Sequence, residues 1–131
     1  MGGFTDYWEN KIVDHIFGKN NYTPPTIYVG LSTTDPLDNA SGLAEPAGNA
    51  YARVETFASD WNAASGSSLD NASDIVFPKA TGGWGTITHF ALFDAATGGN
   101  MLAHGPLSQP KAIGGSYTAI FDAGDLNISL D

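Results

Sequence analysis

Cysteine is missing from the 131-residue chain. Its absence removes disulfides, thiol nucleophiles and thiolate zinc sites, and leaves the fold to stand on packing alone. Positive charge is scarce: 5 Lys and Arg face 14 acidic groups, for a net charge of −9. Lys11, Lys19, Arg53, Lys79 and Lys111 are scattered along the chain, so no basic patch can overcome that field and a nucleic-acid partner is excluded. Charge of either sign is low, 15% of residues against about 25% in typical soluble domains. That shortage has two readings: a surface buried in an assembly, or a domain coated with Ser, Thr, Asn and Gly that needs no partner. No apolar run approaches the roughly 20 residues of a membrane span, and the start, MGGFTDYWENKIVDHIFGK, lacks a basic segment followed by an apolar one. The expectation is a soluble chain made in the cytoplasm, with no membrane partner. Gly2 is no myristoylation site, because Asp6 stands where that motif needs Ser or Thr.

What is present begins with Trp84 to Asp94, WGTITHFALFD. Strict alternation puts Ile87, His89, Ala91 and Phe93 on one face and Thr86, Thr88, Phe90 and Leu92 on the other. Neither row is plainly water-facing, so this strand needs cover on both sides, from a helix, another sheet or another subunit. The length suits one domain, 1–131, with one hydrophobic core.

One stretch reads as helix, from about Thr5 to Phe17. Thr5 or Asp6 caps it, Glu9 follows Asp6 by three, and Gly18 supplies the stop. Phe4, Trp8, Ile12 and Ile16 fall on one stripe flanked by Val13 and Phe17, while Glu9, Asn10 and Asp14 face water. Such a helix is either a lid on its own sheet or an arm that docks on a neighbouring subunit. After Pro24 and Pro25 the pattern turns to β, from about residue 26 to 131. Strand-like runs lie in TIYVGLST, YARVETFA, DIVFP, WGTITHFALFD, Met101 to Leu107, Tyr117 to Phe121 and Leu126 to Leu130, seven in all. DAATGGNM reads as a hairpin turn, and Ala123-Gly124-Asp125 as a tight bend within a strand pair. The fold class is mainly β, an antiparallel β-sandwich or jelly-roll-like domain with one N-terminal helix. Thr33 to Asn49 and Ser59 to Asn71 exceed the usual connection length and read as recognition loops or lids. Trp61, apolar in a polar loop, must pack on something.

Catalytic chemistry finds little footing. There is no G-x-S-x-G elbow, and Ser32 sits inside a strand pattern. His15, His89 and His104 form no H-x-x-x-H or H-E-x-x-H pair. His89 and His104 are able to meet across the hairpin, yet a third ligand is not visible. Asp35 and Asp38 in TTDPLDNASG lack the ligand spacing and closing Glu of an EF-hand, and are turn formers. No carboxylate pair is singled out for glycoside hydrolysis. The chain is thus expected to be no enzyme, with no catalytic residue, metal or cofactor. Trp61, Trp84 and the tyrosines are conceivable stacking platforms for sugars, which keeps a carbohydrate-binding or small glycan-active β domain as an alternative.

The blocks DYWENKIVDHIFGK, YTPPTIYVGLSTTDP, EPAGNAYARV, IVFPKATGGWGTITHFALFDAATGGNML and FDAGDLNISLD run nearly end to end. In that order the chain resembles the small virion structural proteins of tailed bacteriophages, a head-decoration or tail-fibre-like family. The resemblance implies a virion location and an architectural role, and carries no catalytic residue. The first expectation is a capsid decoration or cement protein bridging subunits of the phage major capsid protein. A tail or tail-fibre component, in contact with tail proteins or a host receptor, is the alternative. A homo-oligomer is expected, with a trimer favoured, and Phe4, Trp8, Ile12, Ile16, Trp61 and Trp84 are the expected interface residues.

Overall fold

The structure, a computed structural model, describes residues 2–130. Met1 and Asp131 of the expected domain 1–131 lie outside the described residues. The fold is mainly β with one helix, and its largest sheet curls into a half-barrel. In chain order the elements are β1 (Gly2–Phe4), α1 (Asp6–Ile16), β2 (Tyr28–Ser32), β3 (Val54–Glu55), β4 (Ser68–Asp70), β5 (Ile75–Val76), β6 (Gly85–Phe93), β7 (Met101–Ile113), β8 (Ile120–Phe121) and β9 (Asn127–Ser129). The curled sheet has the order β3-β2-β6-β7-β1-β9-β4, and β5 and β8 form a separate ribbon.

Two features differ from the sequence expectation. The sheet is mixed, because β1 pairs in parallel with β9 while the other pairings are antiparallel. Among the described residues nine strands also replace the seven read from pattern. The additional β1 precedes the helix and β4 sits inside the polar loop, each only 3 residues long. Strands this short carry no alternation to read. Conversely, YARVETFA pairs only over Val54–Glu55. The bend at Ala123-Gly124-Asp125 does not join a strand pair. It carries the chain from the β5–β8 ribbon into the main sheet, with Gly124 at φ 89 and Asp125 N–H donating to the Asp122 carbonyl over 2.9 Å.

The main core lies between the concave sheet and the ribbon. Val29, Leu31, Ile87, Phe90, Leu92 and Leu102 meet Ile75, Phe77 and Trp84 there, all buried. Asn71, 0% exposed, ties this region together. Its amide donates to the carbonyls of Ser73 and Asp122, both over 2.9 Å, and its carbonyl accepts from Leu126 N–H over 2.9 Å.

β6 is covered on both faces, as its composition requires, but the residues divide differently. The register against β7 breaks between Ile87 and His89: Ile87 faces Lys111, whereas His89 faces Pro106. Beyond the break the side chains change sides, so Ile87 shares the main core with Phe90 and Leu92, and Ala91 and Phe93 form a second small core with Met101. That outer face is covered by the chain's own loop, which brings Ala40 and Leu43 against it.

Candidate functional site

The Thr33 to Asn49 loop is held on the outer face by two polar clusters. Arg53 and Glu45 form a salt bridge of 2.6 Å, with their side chains 6% and 19% exposed. The guanidinium lies 3.4 Å from the Phe93 ring centroid and donates to the Ala95 and Gly98 carbonyls over 2.8 and 2.9 Å. Tyr51 adds its hydroxyl, donating to Glu45 over 2.6 Å and accepting from Leu31 N–H over 2.9 Å. Burial first, and then the hydrogen bond to the Glu45 carboxylate, push the Tyr51 hydroxyl far above the ordinary tyrosine range. In the second cluster His104 Nε2 lies 2.8 Å from Asp38 Oδ1, and Asp35 Oδ1 stands 3.7 Å from His104 Nδ1 and 3.9 Å from His89 Nε2. The two histidines expected to meet across the hairpin thus share an acidic neighbour. Among the described residues no group of three His, Cys, Asp or Glu is placed to hold a metal ion. The cluster straps the loop to β6 and β7.

An unfilled apolar groove lies on the opposite side. Its volume is about 370 Å³, and it is walled by Phe4 of β1, Trp8 and Ile12 of α1, Ile27 and Trp61 from the loops, Leu69 of β4, Ile128 of β9 and Leu130 just past it. Apart from Ser67 and Ser68 its lining is apolar. Thr5 aims the helix into it. The Thr5 hydroxyl is buried against β7, donating to the carbonyls of Met101 and Leu102 over 2.8 and 3.0 Å, and it also caps Trp8 N–H at 3.3 Å. The capping residue is therefore also the anchor that fixes the helix start on the sheet. Trp8 then stacks on Phe4, with ring centroids 4.4 Å apart and planes at 37°. Trp61 is oriented by its indole N–H, which donates to Thr56 Oγ1 over 3.0 Å.

Past Ile12 the helix runs off the body of the domain. Val13 is 51% exposed, Ile16 70% and Phe17 75%. Phe17 ends the helix, and Tyr22 N–H returns to His15 Nδ1 over 3.2 Å, folding the following segment back beside it. The helix is thus half lid and half projection.

Of the six interface residues expected from sequence, Phe4, Trp8, Ile12 and Trp61 converge on the groove. Ile16 stands one turn beyond it on the projecting end. Trp84 is elsewhere: it is 4% exposed in the main core, edge-on to Tyr51 at 5.2 Å, and its indole N–H donates to the Asn49 carbonyl over 2.9 Å. A ring so enclosed offers no platform to a sugar. Leu69, Ile128 and Leu130 complete the groove and escaped the sequence reading of the site. The apolar alternation of Leu126, Ile128 and Leu130 was visible, but only the pairing of β9 with β1 and β4 brings it beside the helix.

No helix among the described residues is long and apolar enough to cross a membrane. The family model described as Gp80, Podophage GP4 fiber I protein gp80, matches residues 3–129. No curated protein matches the chain.

Proposed function

Because the chain belongs to the podophage GP4 fiber I protein gp80 family, we propose that it is a non-enzymatic, tail-fibre-like structural component of a phage virion and works as a homo-oligomer, a trimer by preference. The observation that carries this reading within the domain is the apolar groove of Phe4, Trp8, Ile12 and Trp61 beside the projecting, apolar end of α1. Both are surfaces that lose free energy when covered by a neighbour. The polar clusters, by contrast, are consumed in holding the loop, and Arg53 and Glu45 already satisfy each other. Closed symmetry then multiplies modest contacts into a stable assembly.

Capsid decoration, in which copies would bridge the major capsid protein, asks for the same coverable surface and is the second reading. The family description favours the fibre. Gold-labelled antibody against the protein, imaged on purified virions, tests this: label on the tail or its fibres is expected. A head lattice would restore the capsid reading, and unlabelled virions that lack the protein by mass spectrometry would reject a virion role altogether.

A further inference from the structure

The β6–β7 hairpin is broken in its middle. Ile87 faces Lys111 and His89 faces Pro106, so Leu107, Ser108, Gln109 and Pro110 of β7 stand against Thr88 alone. An ordinary bulge sets two residues against one. The surplus here builds a cleft: Ser108 and Gln109, both exposed, line a cavity of about 470 Å³. More of its lining comes from β8, the bend that follows and β9, through Phe121, Asp125 and Asn127. We infer that this cleft is a saccharide-binding site, which takes a sugar ring by its neutral hydroxyls and one apolar face. The inference is separate from the assembly reading above and does not depend on it.

Chemistry selects the occupant. Part of the lining is apolar. Phe90 and Leu126 are buried, and the half-buried Phe121 ring is held by Phe77 and Phe90, with centroids 6.1 and 6.3 Å away and planes at 64° and 76°. The remainder is polar and supplies both donors and acceptors through Ser108, Gln109 and Asn127. A pyranose carries the matching pair of surfaces, C–H groups on one face and hydroxyls around its edge, and an aromatic ring with a few polar groups is how a pocket orients such a ligand. The stacking platforms expected from sequence, Trp61 and Trp84, are not among these residues, and Phe121 takes their place.

Charge narrows the choice further. A net charge of −9 repels phosphates and other polyanions. Within the cleft Lys111 and Asp125 bring one charge of each sign, so neutral hydroxyls are the groups it reads. Asn127 is underused by the fold: among the described residues its side-chain oxygen has no hydrogen-bond partner. With no bond holding that oxygen, the amide is free to turn toward a ligand hydroxyl, which supplies the missing donor. A second cavity of about 290 Å³ shares Leu107, Lys111, Ile120 and Phe121 with the first. The two continue into each other at these residues, so linked sugars are held better than a single one.

The test uses the whole chain, ¹⁵N-labelled and titrated with methyl glucoside, methyl rhamnoside and N-acetylglucosamine, then with cellobiose and chitobiose. Saturable shifts are expected at the backbone amides of Ser108, Gln109, Phe121 and Asn127, and a disaccharide should bind more tightly than its single unit. Two variants check the site. Asn127→Ala removes an amide whose oxygen bonds nothing among the described residues, so the urea midpoint should hold while binding weakens about tenfold. Ser108→Trp fills the cleft from an exposed position and should abolish binding, with its fold checked by circular dichroism. The inference is overturned if no sugar gives saturable shifts, if the shifts map outside the cleft, or if either folded variant binds as well as wild type.

Discussion

Arg53 grips Glu45 over 2.6 Å while its guanidinium rests on the Phe93 ring, 3.4 Å from the centroid. The pair joins three segments distant in sequence: the long loop through Glu45, the strand approach through Arg53, and the β6–β7 hairpin through the Ala95 and Gly98 carbonyls. It is the reason that the second face of β6 is covered from within the chain.

Removing the guanidinium should therefore cost more than a surface ion pair would. Arg53→Ala leaves Glu45 short of its partner in a half-buried place, strips Phe93 of its stacking cation and frees two carbonyls. A loss of about 3–4 kcal/mol is expected from urea unfolding. Arg53→Lys should recover only a part, because a point charge cannot hold the carboxylate in a fork and the hairpin carbonyls together.

Tyr51 makes stability depend on alkaline pH. Its hydroxyl is raised in the folded protein, so the folded state holds that proton after the unfolded chain has lost it. The contribution is complete below the unfolded value of about 10 and declines above it by about 1.4 kcal/mol per pH unit, until the folded group itself ionises. Tyr51→Phe removes the bonds to Glu45 and Leu31 and should cost about 1–2 kcal/mol at pH 8. The gap between wild type and variant should narrow in unfolding experiments above pH 10. A constant gap would show that this hydroxyl is not the responsible group.

The helix and the doubly covered strand were legible from local pattern, for reasons visible in the structure. Thr5 caps Asp6–Ile16, and the composition of WGTITHFALFD leaves no face for water. Which side chains share a face was not legible, since the break between Ile87 and His89 arises from extra residues on β7, between Pro106 and Lys111. Nothing in β6 itself records it. The cover of β6 was expected from a helix, a sheet or another subunit. The loop Thr33 to Asn49, legible as a recognition loop or lid, gave no sign of which face it would close until Glu45, Asp35 and Asp38 find Arg53, His89 and His104. Trp84, read as an interface group, has a core environment made by Tyr51 and Phe77, contacts that no spacing encodes. The groove was half legible: the stripe Phe4, Trp8, Ile12 marked one wall, and the other depended on the parallel β1–β9 pairing.

On its other side β1 is held by close backbone contact with β7. A Cβ on Gly105 would stand 2.5 Å from the Gly2 Cα, an approach that only hydrogen permits. Gly105→Ala should push β1 away from β7 and loosen the anchored start of α1. Faster amide exchange is expected across β1 and the first turn of the helix, with β2 and β6 unchanged, as measured by mass spectrometry. Uniform protection in the variant would mean that β1 adjusts without losing its place.

Asn71 anchors the chain where it enters β9. Fully buried, it spends both amide hydrogens on the carbonyls of Ser73 and Asp122 and its oxygen on Leu126 N–H. It thereby fixes where the chain leaves the ribbon and enters β9, whose Ile128 forms part of the groove. Asn71→Ala strands three backbone groups without water, at about 1–3 kcal/mol for each that finds no substitute, so a total near 3 kcal/mol is expected after partial relaxation. Asn71→Asp keeps the acceptor and loses both donors, and it places a carboxylate where two carbonyls point at it. It should be at least as destabilising as alanine at pH 7, with urea midpoints as the measure. An aspartate variant as stable as wild type would require those carbonyls to find other donors, and would remove Asn71 from the explanation of how β9 is positioned.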